Sequence, residues 1–160
     1  MFLGKLLAEA GLIAGYNVTW MPSYGAEVRG GTAYSMAKVS NAEIASPIVT
    51  NPDILVAMNR PSFLKYESSV KAGGLLIVNK SLVGDFDKPK NIKVVNIQMT
   101  EIASKLGDIR CANMIAIGAV AKHSQTISIR NVITALKSAF KDKEELFLLN
   151  KQAVEKGYGT

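Results

Sequence analysis

Residues 54–79 read ILVAMNRPSFLKYESSVKAGGLLIVN, and this stretch has the pattern of a β-α-β unit. Ile54 to Met58 and Leu75 to Asn79 are short, continuous apolar runs, which are typical of strands buried on both faces of a sheet. Between them, Pro61 suits the first turn of a helix that ends at a Gly-Gly pair. Because a helical crossover joins parallel strands, this segment predicts a parallel sheet covered by helices.

Strands and helices alternate in the same way along the rest of the chain. Helical spacing of leucines predicts that the sequence begins inside a helix. Further strands are expected at Asn17 to Met21, ended by Pro22, and at Thr32 to Val39 and Ile92 to Ile97. The alternation predicts one domain over residues 1–160, a three-layer α/β/α fold with a largely parallel sheet.

The last third of the sequence is expected to be helical. Ala112 to Lys122 is apolar nearly all round, as in a helix buried within a core. Thr100 and Ser128 are expected to cap helices, and Asp142 with Glu145 has the spacing of a capping box.

The composition indicates a globular domain without a membrane span. The chain has 160 residues, of which 48% are hydrophobic, and this is enough apolar material for a core. Its longest apolar runs fall far short of the ~18 residues that suggest a transmembrane helix, and Met1 to Gly15 lacks a secretory signal pattern. We therefore expect a cytoplasmic protein with no membrane association.

Cysteine and histidine are too few for several kinds of site. The single cysteine, Cys111, excludes an internal disulfide and an iron–sulfur cluster held by this chain alone, and it is expected in the core. The single histidine, His123, lacks the partners of a zinc site or a catalytic triad and is expected at a helix C-terminus. We expect neither a catalytic residue nor a metal site in this chain.

The charge of the chain does not predict a nucleic-acid surface. The net charge is +6, and the excess lies in residues 80–160, which carry 13 basic and 8 acidic side chains. These lysines are spread over predicted helices and are not clustered with aromatic residues as in single-strand binders, which favours solvated helix faces. The sequence also lacks the dinucleotide-binding and phosphate-loop patterns.

The segment from Ser23 to Gly31, SYGAEVRGG, is the strongest candidate for a functional loop. Its three glycines permit a tight path or the close approach of a partner. Arg29 with the amides of Gly30 and Gly31 could bind a phosphate or carboxylate, or Arg29 could pair with Glu27 while the glycines only shape the bend. Tyr24 could stack on a ligand or cover a partner surface.

Three polar segments follow strands and could meet at one edge of the sheet. In α/β folds, ligands collect at the carboxyl ends of the strands. The Ser23–Gly31 loop, the Asn59-Arg60 turn and Asn79-Lys80 are all expected there. Each polar residue also has a simpler explanation as an ordinary cap of a strand end.

The order of residues resembles a known family. Pro22 to Thr32, followed by Ser46 to Val49 and then Asn51 to Asp53, is similar to the gamma subunit of 2-oxoacid:ferredoxin oxidoreductases, most of all the 2-oxoglutarate type. The similarity continues through Met58 and into the Gly-Gly strand entry before Leu75, so it covers almost the whole chain. It implies the fold of the gamma domain, domain III, of pyruvate:ferredoxin oxidoreductase.

The resemblance implies a subunit of a heteromeric enzyme, inactive by itself. Such complexes, which include pyruvate and ketoisovalerate oxidoreductases, oxidatively decarboxylate a 2-oxoacid to an acyl-CoA and reduce ferredoxin. The resemblance places thiamine diphosphate and Mg on alpha and beta subunits and the iron–sulfur clusters elsewhere, including a ferredoxin-like subunit, with no cofactor expected in this chain. The residues expected to contact coenzyme A (CoA) or a partner subunit are Ser23, Tyr24, Gly25, Arg29, Gly30 and Gly31.

The sequence departs from the family pattern at its start. Family members usually open with a short strand and a glycine-rich loop, whereas this sequence opens with Met1-Phe2-Leu3, already in the first helix. Residues 1–160 are therefore expected to form a single gamma domain without that strand and loop. The alternative function from the residues alone is a stand-alone α/β module that binds a small ligand or nucleotide.

Overall fold

The structure, a computed structural model, describes residues 1–25 and 33–160. The strands in these ranges are β1 (Asn17–Tyr24), β2 (Ala33–Ser40), β3 (Ile54–Ala57), β4 (Leu75–Asn79) and β5 (Lys93–Ile97). The α-helices in these ranges are α1 (Phe2–Ile13), α2 (Arg60–Tyr66), α3 (Lys80–Val83), α4 (Met99–Lys105), α5 (Ala112–His123), α6 (Ile129–Ala139) and α7 (Glu144–Tyr158). Short 3-10 turns at Glu67–Ser69 and Ile109–Cys111 follow α2 and precede α5.

A parallel sheet of β3, β4 and β5, in that spatial order, lies at the centre of the described fold. The middle strand is buried throughout and sends its side chains into two cores. Leu75 and Ile77 pack among residues of the long helices, whereas Leu76 and Val78 pack with Phe63 of α2 on the other face. Helices therefore cover both faces of the sheet, which confirms the predicted α/β/α layers and the β-α-β unit.

The two N-terminal strands do not join the parallel sheet. They pair with each other antiparallel, from Asn17 opposite Ser40 to Tyr24 opposite Ala33, and form a hairpin. The expected strand end at Pro22 is wrong, because β1 continues through it to Tyr24. A proline is tolerated there because β1 is an edge strand, where a missing amide need not break a ladder hydrogen bond.

The predicted helix caps have mixed outcomes. Ser128 does cap α6: its hydroxyl accepts a hydrogen bond from the Asn131 amide, and the Asn131 side chain accepts one from the Ser128 amide. The capping box of Asp142 with Glu145 is wrong, since α7 begins without a side-chain cap. Thr100 does not cap α4 either, because the helix has already begun before it.

The α5 helix crosses α7 so closely that their backbones touch. Nine residues of α5 are buried, from Ala112 to Ala121 with one interruption. A methyl group on Gly118 would overlap the carbonyl oxygen of Val154 in α7, and one on Gly157 would overlap the carbonyl oxygen of Ile115 in α5. Glycine is therefore required on both helices for this approach, and each helix lies where the other lacks a side chain.

We predict that Gly118→Ala lowers the free energy of unfolding by about 3 kcal/mol or more, because the added methyl group must push α5 and α7 apart. Urea unfolding followed by circular dichroism measures the change. Gly159→Ala is the matched control, since its added methyl group would meet no atom closer than 3.6 Å, and we expect a change below about 0.5 kcal/mol. Equal stability of the two variants would contradict the proposed backbone contact.

None of the described helices is both long enough and apolar enough to cross a lipid bilayer.

Candidate functional site

The β1–β2 hairpin carries the first residues of the predicted site. Ser23 and Tyr24 end β1, where they pair with Tyr34 and Ala33 of β2, and Gly25 follows them in an exposed position. Tyr24 exposes 71% of its surface, which is unusual for a large aromatic side chain. Its ring and hydroxyl are therefore available to a partner molecule.

The residues expected to contact an anion follow Gly25 in the sequence. Arg29, Gly30 and Gly31 lie outside the described residues, as does Glu27, the alternative partner of Arg29. Both interpretations of this segment stay predictions.

The first helix supports one face of the hairpin. Gly4 lets α1 lie close to the hairpin, because a methyl group at Gly4 would overlap the hydroxyl of Ser35 in β2 and come within 3.3 Å of the Trp20 indole nitrogen in β1. Gly11, two turns later, lies against Val18 and Val39, and a methyl group there would come within 2.9 Å of Val18. These two small residues allow the helix to lie close to the strands.

The opposite face of the hairpin is supported by α2 and by the segment after β2. The ring of Tyr34 lies 5.4 Å, centroid to centroid, from the ring of Tyr66 at the end of α2. The Val49 amide lies 3.0 Å from the sulfur of Met36, and this contact holds the returning chain against β2. Contacts thus support the hairpin as far as the pair that contains Tyr34, whereas Tyr24, in the next pair, projects into solvent.

The predicted turn after β3 is used to build α2 and to fasten the loop after α3. The side-chain oxygen of Asn59 accepts a hydrogen bond of 2.9 Å from the Ser62 amide and so caps α2. The Arg60 guanidinium donates to the carbonyl oxygens of Val83 at 2.8 Å and Asp85 at 3.0 Å. Both polar side chains therefore have a structural role at the carboxyl end of β3.

Asn79 joins three elements at the end of β4. It is fully buried, and its amide group donates to the carbonyl oxygen of Met58 at 3.2 Å and to the Thr100 hydroxyl at 2.9 Å. Its side-chain oxygen accepts a longer hydrogen bond, of 3.4 Å, from the Thr100 amide. Because burial of an unpaired amide is costly, these bonds explain a polar residue in an otherwise apolar strand.

Lys80, the next residue, holds the loop after α3. Its ammonium group donates to the Gly84 carbonyl oxygen at 2.9 Å and to the Asp85 carboxylate at 2.6 Å. The hydrogen bond from Lys80, together with its charge, lowers the pKa of Asp85 below the usual range of an aspartate. The same ammonium lies 5.4 Å from the centre of the Phe86 ring.

The expected convergence of the three polar segments has no direct contact to support it. The segments at Asn59 and Asn79 do lie together at the carboxyl ends of β3 and β4. Among the described residues, however, no hydrogen bond or ion pair joins Ser23 or Tyr24 to them. The hairpin instead touches Tyr66, at the end of α2 opposite the Asn59 cap.

A shallow groove of about 480 Å³ lies beside this edge, between α2 and the segment after α3. Phe63 and Phe86 line it, with ring centroids 4.4 Å apart, and Leu64 lies at its border with 59% of its surface exposed. Sequence reasoning missed the groove because its two sides are distant in sequence. The available signal was Phe86, an aromatic residue between Asp85 and Asp87 in a charged turn.

Cys111 has the environment of a structural residue. It is 2% exposed, as predicted for a core cysteine, and its sulfur lies 3.6 Å from the side-chain oxygen of Asn150. Burial raises the pKa of its thiol. Within residues 1–25 and 33–160, no group of three or more His, Cys, Asp or Glu side chains is placed to hold a metal ion.

His123 is the last residue of α5, which confirms its predicted position at a helix C-terminus. Its Nδ1 lies 3.4 Å from the Lys93 ammonium. Burial lowers the pKa of His123, and the positive charges of Lys93 and Lys122 lower it further. The neutral imidazole is therefore the form that suits this position, since it can accept a hydrogen bond from Lys93.

We predict that Lys93→Ala raises the pKa of His123, because it removes a positive charge beside the imidazole. A pH titration followed by NMR of the imidazole protons measures this, and the chain's only histidine gives a single set of signals. Lys137→Ala, on the exposed surface of α6, is the control and should leave the titration unchanged. If the pKa rises as much in the control, or in neither variant, the assigned contact is wrong.

Comparison with known proteins identifies the family. The family described as pyruvate ferredoxin/flavodoxin oxidoreductase matches residues 1–160. The chain belongs to this family.

Relatives named for two different 2-oxoacids resemble this chain. It is 31% identical over 156 residues to the ketoisovalerate oxidoreductase subunit VorA of Methanothermobacter marburgensis, and the matched region is 97% of this chain and 32% of that protein. It is 37% identical over 143 residues to the 2-oxoglutarate synthase subunit KorC of the same organism, which covers 86% of this chain and 75% of that one. The chain thus spans about a third of the length of VorA and three quarters of KorC.

Solved structures of family members share the fold. The gamma subunit of keto/oxoacid ferredoxin oxidoreductase from Geobacter sulfurreducens PCA has a TM-score of 0.83 and 25% identity, over 99% of this chain and 88% of that one. The 2-oxoglutarate:ferredoxin oxidoreductase from Magnetococcus marinus, solved with 2-oxoglutarate, coenzyme A and succinyl-CoA bound, has a TM-score of 0.85 and 25% identity, over 99% of this chain and 28% of that one. These likenesses confirm the sequence resemblance to gamma subunits.

Proposed function

We propose that this chain is the gamma subunit of a multi-subunit 2-oxoacid:ferredoxin oxidoreductase and that its 2-oxoacid is 2-oxoglutarate. The family match over residues 1–160 carries the first part. The second part rests on identity, which is 37% with the 2-oxoglutarate synthase subunit and 31% with the ketoisovalerate subunit. The chain also covers 75% of the 2-oxoglutarate relative but only 32% of the ketoisovalerate relative, which supports the same choice.

The proposed complex oxidatively decarboxylates 2-oxoglutarate, releases CO₂, joins the remaining acyl group to CoA and passes two electrons to ferredoxin. The donor atoms of this chain do not fit an iron–sulfur cluster, because a cluster needs several thiolates and the single cysteine is buried. We therefore assign the clusters, thiamine diphosphate and Mg to the alpha, beta and ferredoxin-like subunits. We place the complex in the cytoplasm.

We further propose that the hairpin tip contacts CoA or a partner subunit. In this proposal Tyr24 is the aromatic contact, and Arg29 with the amides of Gly30 and Gly31 binds a phosphate or carboxylate. Two observations support it: Tyr24 exposes 71% of its surface, and the hairpin behind it is held on both faces. A supported hairpin loses little conformational freedom when its tip binds.

We predict that co-expression of this chain with alpha, beta and ferredoxin-like subunits from the same genome gives one complex. An affinity tag on this chain should retain all the subunits together with thiamine diphosphate and iron–sulfur absorbance. The complex should reduce ferredoxin only when both 2-oxoglutarate and CoA are present, and omission of this chain should abolish that activity. Pyruvate and 2-oxoisovalerate are the control substrates.

Purification of the tagged chain alone, without cofactors, would contradict its role as a subunit. A bound small molecule on the isolated chain would then favour the stand-alone ligand-binding module. Faster turnover of 2-oxoisovalerate or pyruvate would overturn the choice of 2-oxoglutarate and leave the role as a subunit intact.

We predict that Arg29→Ala raises the KM of the complex for CoA roughly tenfold, because a charge-assisted hydrogen bond contributes about 1.5 kcal/mol. Steady-state kinetics at varied CoA measures the change, and the KM for 2-oxoglutarate should stay the same. Arg130→Ala, which removes an exposed arginine on α6, is the matched control. An unchanged KM for CoA in Arg29→Ala would exclude the anion contact.

A further inference from the structure

The groove beside α2 combines an apolar lining with acidic residues. Leu64, which is exposed, and Phe86, which is half-buried, supply the apolar surface above the buried Phe63. Glu67 and Asp87 lie on either side of it. Glu67 stands directly after α2, one turn beyond Phe63, and Asp87 follows Phe86 in the loop. The two carboxylates therefore come from the two opposite sides of the groove.

The lining holds three carboxylates, those of Glu67, Asp85 and Asp87, and the positive charge of Arg60, so it stays net negative even with Lys80 paired to Asp85. Asp85 is paired with Lys80 at 2.6 Å, and Arg60 donates to two backbone carbonyl oxygens. In contrast, neither Glu67 nor Asp87 forms an ion pair with any described residue. Among the described residues, the groove thus presents two carboxylates outside any ion pair, beside the exposed side chain of Leu64 and the half-buried ring of Phe86.

This combination fits a long basic side chain. The hydrocarbon stem of a lysine or arginine can cover Leu64 and Phe86, while its charged end meets the carboxylates. The groove already shows one such contact, since the Lys80 ammonium lies 5.4 Å from the Phe86 ring centre. The feature also contrasts with the chain as a whole, whose net charge is +6.

We propose that this groove binds a lysine- or arginine-bearing segment of a partner subunit. This inference rests on the proposed function, because it requires a partner subunit. Charge complementarity selects the occupant: a basic segment pairs Glu67 and Asp87, whereas an acidic segment would be repelled by them. The described lining residues of the groove include none from the hairpin, which touches α2 at Tyr66.

The double variant E67K/D87K tests the proposal in the co-expressed complex. We expect the Kd for the partner subunits to rise about tenfold or more, since each substitution places like charges together. E67Q/D87N, which removes the charges but keeps the side-chain shapes, should give a smaller rise in Kd. It replaces the charge-reversal variant as the test if that variant disturbs folding. E43K/D142K is the matched control at exposed carboxylates elsewhere, and its Kd should change less than about twofold.

Carbodiimide coupling provides a direct readout, because it joins carboxylates to lysine amines that are already in contact. We expect mass spectrometry to find Glu67 or Asp87 of the wild-type chain coupled to a lysine of a partner subunit. Where the partner residue is an arginine, which does not couple, we expect assembly to protect these carboxylates from modification. Coupling of these residues to a second copy of this chain would overturn the proposal. So would an unchanged Kd in both groove variants.

The outcomes separate this proposal from the proposed function. If the wild-type chain assembles with its partners and the groove variants assemble equally well, the groove proposal fails and the role as a subunit stands. If the wild-type chain binds no partner subunit, both fail.

Discussion

The crossing of α5 and α7 is the contact on which the rest of the described structure depends. α5 lies between the parallel sheet and α7, and it also touches α1, α4 and α6. Its position is set by backbone contact with α7 at Gly118 and Gly157, where no side chain intervenes. A side chain can change rotamer to make room for added atoms, but a backbone cannot. A small change at this crossing therefore shifts α5, against which Leu75 and Ile77 of the sheet are packed.

The polar residues at the carboxyl edge of the sheet mainly bind other parts of the chain. Asn79 joins the ends of two strands to α4, Arg60 holds the loop after α3, and Lys80 neutralises Asp85 in the same loop. In α/β enzymes this edge commonly holds the ligand. Here its amide and cationic groups stabilise the fold, and the proposed function assigns the chemistry of the family to other subunits.

The sequence predicted the features that arise from local pattern. Leu75–Asn79 was predicted to the residue, because a continuous apolar run is distinctive, and the Ser128 cap was recognised from its position before an apolar periodic segment. The expected caps at Thr100 and Asp142 failed because cap-forming residues are common and tertiary contacts decide which of them act. For Thr100, the competing contact is with Asn79.

Features that depend on distant parts of the chain were not predictable from one sequence. The antiparallel pairing of β1 with β2 was missed because strand patterns carry no direction, and the groove was missed because it joins α2 to a loop of no regular structure. For the candidate site, the sequence indicated that Tyr24 contacts a ligand or a partner surface, but it gave no basis to separate Tyr24 from the carboxyl edge. Its anion contacts stay predictions, because Arg29, Gly30 and Gly31 lie outside the described residues.

The short α2 helix supports both surfaces that we propose as contacts. Seven residues are too few for a helix that is stable by itself, so its position depends on tertiary contacts. Tyr66 packs on Tyr34 of the hairpin, and Phe63 packs on Phe86 of the groove. Arg60 donates a hydrogen bond to the loop that follows α3. Energetic coupling between two sites requires an element with two alternative positions. In this structure, the three contacts, at successive turns of α2, hold the helix in one position. α2 is therefore a fixed support that sets the distance between the hairpin and the groove, and a partner subunit that binds both must match that distance.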